Sequence, residues 1–117
     1  MATMLFTLAL VQMSASPIIS ALPDVSSISP ANAVGVLRYC AQKQLVSSAV
    51  ADSIIEPLTI KKEVLASHDY TAGQSGQILT GGKTFALAQS KGFLQSQACD
   101  LVLRQAQKLK GAARPKP

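Results

Sequence analysis

The side chains with the most chemistry in this sequence are two cysteines, Cys40 and Cys99, 59 positions apart. Three roles are open to them. A zinc site needs about four ligands, and the only soft donors are Cys40, Cys99 and His68. A thioredoxin-like redox role needs Cys-x-x-Cys, which is absent. In a reducing compartment the pair would be free or buried thiols. In an oxidising one an even count points to a disulfide, and two cysteines allow a single intramolecular pairing. Closing a loop of roughly 60 residues would restrict the unfolded chain by about 4 kcal/mol on chain-entropy grounds.

Other constellations approach known chemistry and stop short. Residues 76–84 (GQILTGGKT) are near a P-loop, but G-x-x-x-x-G-K-[ST] needs glycine where Gln77 stands. Residues 73–77 (GQSGQ) are near the G-x-S-x-G nucleophile elbow, with Gly76 one place early. His68 and Asp69 are adjacent, and neighbours on an extended chain point opposite ways. They and Lys83 fall in the stretch 67–84, so a small site built from His68, Asp69 and Lys83 on a loop is the enzymatic or ligand-binding alternative. No carboxylates recur at a catalytic spacing, and no cofactor is implied.

The formal charge of +5 is unevenly placed. Acids and bases balance through residue 103. The excess is Arg104, Lys108, Lys110, Arg114 and Lys116. Such a cluster suits either contact with an anionic surface or a solvated helix end. With no aromatics between the charges, nucleic acid is not an expected partner.

Residues 1–23 carry no charged side chain, and Met4 to Val11 (MLFTLALV) is densely apolar. That run is too short to span a bilayer, which takes about 18 residues or more. An apolar core followed by small residues is the pattern of a signal peptide, with the best cut after Ala21; the lack of a basic opening residue departs from it. Periplasmic or secreted localisation follows as an expectation.

The elements that must position these residues are mostly helical. Residues 22–29 (LPDVSSIS) read as an extended lead-in. Ser29-Pro30 is a helix-start signal, and Ala33, Val36, Leu37, Cys40, Ala41 and Leu45 follow at helical spacing. Ser47-Ser48 starts a second helix, carrying Val50, Ile54 and Ile55. It stops short of Pro57, or restarts there and runs to Ala66 with Leu58, Val64 and Leu65 as anchors. Residues 67–84 hold four glycines and read as a loop with one apolar pin, Ile78-Leu79, and a turn at Gly81-Gly82. Phe85-Ala86-Leu87 docks back. Residues 89–110 form the strongest helix, with Phe93, Leu94, Ala98, Leu101 and Val102 on one face and Gly111 as C-cap. The expected organisation is a signal peptide over 1–21, the lead-in, a helical domain over 30–110 and a disordered basic tail over 111–117. The domain has three to four helices around a loosely held middle, with the first and last clamped by Cys40–Cys99.

Three segments carry a family resemblance: NAVGVLRYC (Asn32, Ala33, Gly35, Val36, Leu37, Tyr39, Cys40), GKTFAL (Gly82, Lys83, Phe85, Leu87) and CDLVLRQ (Cys99, Asp100, Val102, Leu103, Gln105). Together they resemble domain of unknown function 2501, a family of small exported bacterial proteins, over about residues 32–109. The resemblance implies export and the disulfide, and no activity. The reading is therefore an exported, non-catalytic binding or structural module of the bacterial envelope, whose partner is a protein or an anionic surface.

Overall fold

Ser29 opens the first helix in the computed structural model, which describes residues 22–113. Its hydroxyl accepts from the Asn32 N–H at 3.1 Å, and Pro30 takes the first helical position. This helix, α1 (Pro30–Gln42), is the hub of the fold. Ala31 to Leu37, Tyr39 and Cys40 are buried, while Arg38 faces water. Burial almost all round means that α1 has neighbours on every side. It ends in a Schellman motif: Leu45 N–H bonds to Cys40 C=O at 2.8 Å and Gln44 N–H to Ala41 C=O at 3.0 Å. Gln44 supplies the left-handed residue, with φ 61°.

Ser47 caps α2 (Ser48–Leu58), which buries Ala51, Ile54, Ile55 and Leu58 at the i, i+3, i+4, i+7 spacing of one helical face. The helix passes through Pro57 instead of stopping before it or restarting there. Pro57 is its next-to-last residue, where the missing N–H costs one bond and there is little helix left to kink. Thr59 then closes it, with its N–H on Ile55 C=O at 3.0 Å and its hydroxyl on Glu56 C=O at 3.1 Å. A short α3 (Lys62–Ala66) follows, with no fully buried residue.

The stretch expected as a loop is ordered secondary structure. Ser67 caps α4 (His68–Gln74) through Asp69 N–H, at 3.1 Å. A hairpin follows, β1 (Gln77–Thr80) and β2 (Lys83–Ala86), paired antiparallel with Ile78 opposite Phe85 and Thr80 opposite Lys83. Two of the glycines, Gly35 and Gly73, have a tertiary reason. α4 crosses α1 with the backbones in contact, and a Cβ on Gly73 would lie 2.6 Å from both Asn32 O and Val36 N. A Cβ on Gly35 would run into the Tyr70 carbonyl and come within 2.9 Å of the Gly73 Cα. Gly81 and Gly82, at φ 59° and 76°, make the two-residue turn whose twist suits a hairpin. The first part of the middle is thus fitted closely against α1.

After a 3-10 turn (Leu87–Gln89), α5 (Gly92–Ala113) runs back along α1 and α2. Ala98, Val102 and Ala106 form its buried stripe, with Cys99 beside them. The helix continues through Gly111 to Ala113, so Gly111 is not its C-cap. Phe93 is 57% exposed, because the first turn of α5 precedes the part that meets the core. Val50 and Leu65 are likewise exposed.

Cys40 and Cys99 are joined in a disulfide, with a Cα–Cα distance of 6.0 Å and both residues fully buried. It ties α1 to α5. The described residues therefore form a mostly helical fold with five α-helices and one two-stranded sheet. The lead-in belongs to the core as well, burying Val25 and Ile28. The proposed leader, residues 1–21, lies outside the described residues.

Candidate functional site

The densest polar arrangement surrounds Asn32, a fully buried polar side chain among small apolar neighbours. Its amide nitrogen donates to the carbonyls of Asp69 and Gln77, at 3.0 Å each. Its amide oxygen accepts from Leu79 N–H at 2.8 Å. Asn32 thus stands where the next strand's peptide group would stand, bonding residues 77 and 79 on the outer edge of β1. The same side chain holds the start of α4. Ser29 adds a second tie, its hydroxyl donating to Asp69 Oδ2 at 2.9 Å. Both polar atoms of the Asn32 side chain have partners inside the fold. The sequence signal was a lone Asn in an Ala-Asn-Ala-Val run on a core helix, where a buried amide must find partners.

His68 and Asp69 open α4, and Lys83 opens β2. His68 Nδ1 stands 4.0 Å from Asp69 Oδ1, with side-chain exposures of 89% and 42%. Asp69 is engaged by Ser29 and by its place in the first turn of α4, where a carboxylate favours the helix dipole. Lys83 lines a cleft of about 430 Å³ between the lead-in and the hairpin, together with Leu22, Asp24, Thr80 and Phe85. Two further hollows, of about 310 and 340 Å³, include none of the three residues. The trio is not gathered around one space. Ser75, the serine of the near-elbow, is the C-cap of α4, and its hydroxyl bonds Thr71 C=O at 3.3 Å. Of the near-P-loop glycines, Gly81 and Gly82 are the hairpin turn and Gly76 precedes β1. No group of three or more His, Cys, Asp or Glu that could hold a metal occurs among the described residues.

In the cleft, Asp24 Oδ1 accepts from Ser26 N–H at 3.0 Å. That backbone bond, with help from the Ser26 hydroxyl, holds the Asp24 carboxyl below its usual range. Thr80 fastens the lead-in to the hairpin, its hydroxyl donating to Asp24 C=O at 2.7 Å.

The basic cluster does not form one face of α5. Arg104 is paired with Asp100 at 2.9 Å. Lys108 follows Arg104 by one turn, but Lys110 lies about 200° further round the helix. Arg114 and Lys116 lie outside the described residues.

Fold and site together define a small disulfide-clamped helical protein whose buried polar network around Asn32 holds its own backbone in place. The chain belongs to a family described as protein of unknown function (DUF2501), whose profile matches residues 41–109. It is also similar to a protein named "Alcohol dehydrogenase, 15 kDa subunit" from Gluconobacter oxydans (strain 621H). The two are 29% identical over 89 residues, 72% of this chain and 67% of that protein.

Proposed function

We propose that the protein is a non-catalytic accessory subunit of an exported assembly, acting through its surface. The observation that supports this most is the dispersal of its reactive side chains. His68 is exposed, Asp69 is tied to Ser29, and Lys83 lines a cleft that the other two do not reach. No buried side-chain polar atom among the described residues lacks a partner, so none is held in reserve for a ligand. The similar Gluconobacter protein is named as a subunit, which fits a role inside a larger enzyme. Export is supported by the apolar opening segment and by the buried disulfide, a bond that persists in oxidising compartments. No described helix is long and apolar enough to cross a membrane.

The test is to tag the protein in a bacterium that makes it, cross-link, and purify it from the envelope fraction. An enzyme assembly should co-purify, and its yield or activity should fall when this chain is deleted. Intact mass of the recovered chain should match cleavage after Ala21 and fall two hydrogens short of the reduced form. Catalytic turnover by the purified chain alone, or its recovery from the cytoplasm with reduced thiols, would overturn the proposal.

A further inference from the structure

Three helices frame a hollow of about 310 Å³ away from the Asn32 network. α1 contributes Arg38, Tyr39 and Gln42, α2 contributes Asp52 and Ile55, and Gln74 closes it from the end of α4. Arg38 is the single exposed residue between Ala31 and Cys40. Tyr39 is only 8% exposed, and its hydroxyl bonds to none of the described residues. No sealed side-chain polar atom among those residues lacks a partner, so this hydroxyl lies in the part of the ring that water still reaches. The ring itself is fixed in place. Gly76 lies against its edge, where a Cβ would come within 2.9 Å of Cε2, and the Lys43 ammonium stands 5.7 Å from its centroid.

We propose that this hollow reversibly binds a small zwitterion of the amino acid class, its carboxylate on Arg38 and its ammonium on Asp52. Both residues line the hollow, yet among the described residues neither forms an ion pair, with the other or elsewhere. A simple anion would meet Asp52 and a simple cation would meet Arg38. A molecule carrying both charges satisfies both groups and is selected over either. The guanidinium fork suits a carboxylate in particular. Gln42, Gln74 and the Tyr39 hydroxyl add donors and acceptors for the same polar end. Ile55, 3% exposed, gives the hollow an apolar wall that favours an uncharged aliphatic side chain. The volume is at the lower end of small-molecule sites, which span about 300–1,000 Å³. The larger cleft beside the hairpin also holds an acid and a base, but one oxygen of Asp24 is already engaged by Ser26 N–H and Lys83 stands on an exposed strand. No bond in the ligand changes, so such a site adds ligand sensing or carriage to an accessory subunit, and neither reading rests on the other.

The test titrates the full disulfide-bonded chain, isotope-labelled for amide NMR, with L-leucine into the millimolar range. Saturable shifts are expected at the amides of Arg38, Asp52 and Gln74. Leucinamide lacks the carboxylate and N-acetylleucine lacks the ammonium, and each should bind about tenfold more weakly or worse. Arg38→Gln and Asp52→Asn, both at exposed positions, should lower leucine affinity to a similar degree. Tyr39→Phe removes a hydroxyl that holds nothing in the fold, so it should weaken binding about threefold or more while Tm stays that of the parent. Lys83→Gln, in the other cleft, should bind as the parent does. Absence of a saturable shift overturns the proposal. So does undiminished binding of either blocked derivative, or binding that Lys83→Gln abolishes and Arg38→Gln leaves intact.

Discussion

Replacing Asn32 by aspartate changes one atom's identity and very little volume, yet it should cost more than most deletions. In the native chain the amide NH2 donates to two carbonyls at 3.0 Å, and the amide oxygen accepts from Leu79 N–H at 2.8 Å. In Asn32→Asp the accepted bond survives. The two donated bonds become contacts between an oxygen and the carbonyls of Asp69 and Gln77. Each lost bond is worth about 1 kcal/mol net, and each buried group left without a partner costs about 1–3 kcal/mol. Burial also penalises the ionised carboxylate. The total at neutral pH is about 4–8 kcal/mol, a large part of the roughly 5–14 kcal/mol expected for a domain of this size. The sign with pH follows from linkage. The new carboxyl is held above its unfolded pKa, so the folded state binds the extra proton. Its penalty is smallest below the unfolded pKa, where both states are protonated, and grows as pH rises through the folded pKa. Urea unfolding of both proteins at pH 7 and near pH 4, with the disulfide intact, should show a gap that narrows on the acid side. A gap below about 1 kcal/mol at pH 7, or one that does not narrow, would refute the account of Asn32 as the carbonyl-binding keystone.

Three further perturbations test the packing. Gly73→Ala drives a methyl into the α1 backbone, 2.6 Å from Asn32 O and Val36 N, and should lower stability by about 3 kcal/mol or more; an unchanged Tm would mean that the helices do not cross this closely. Gln44→Gly relieves a left-handed non-glycine residue at φ 61° and should raise stability by about 0.5–1 kcal/mol, read as a higher urea midpoint with the same m-value. Replacing Cys40 and Cys99 by alanine opens a loop of roughly 60 residues and should cost about 4 kcal/mol, with a comparable loss when the parent is unfolded under reducing conditions; a midpoint that hardly moves would show that the clamp is dispensable.

What the sequence revealed depended on whether the signal was local. Ser29-Pro30 marks a helix start by its own chemistry, and α1 begins there. The Gly81-Gly82 turn and the Ile78-Leu79 pin were legible for the same reason, but the pairing of residues 77–80 with 83–86 as strands was not, and that stretch read as loop. The disulfide followed from arithmetic, because two cysteines admit one internal pairing. Residues 67–75 were misread because Gly73 and the polar side chains around it argue against a helix when considered alone. The gain that offsets their poor propensity is the contact of Gly73 with Gly35, and that exists only after two segments about 40 residues apart have met. Likewise the spacing of His68, Asp69 and Lys83 suggested a common site, but secondary structure inserted between them put Lys83 on a strand and a cleft of its own.

The close crossing and the buried amide are coupled. Asn32 can reach the hairpin backbone only because Gly73 lets α4 lie against α1, and it must reach it, because a buried amide without partners would cost more than the crossing gains. The hairpin register depends on the same residue. A slip of β1 by one position would carry Ile78, now fully buried, to the opposite face and would present Asn32 with the inward groups of residues 76 and 78. Both errors would be penalised at once, so a two-stranded sheet too small to be stable alone is held in one register by a helix. β2 owes its position to β1, and its Thr84 edge is therefore presented to solvent at a defined place. A rigid surface of this kind lowers the ordering cost of association.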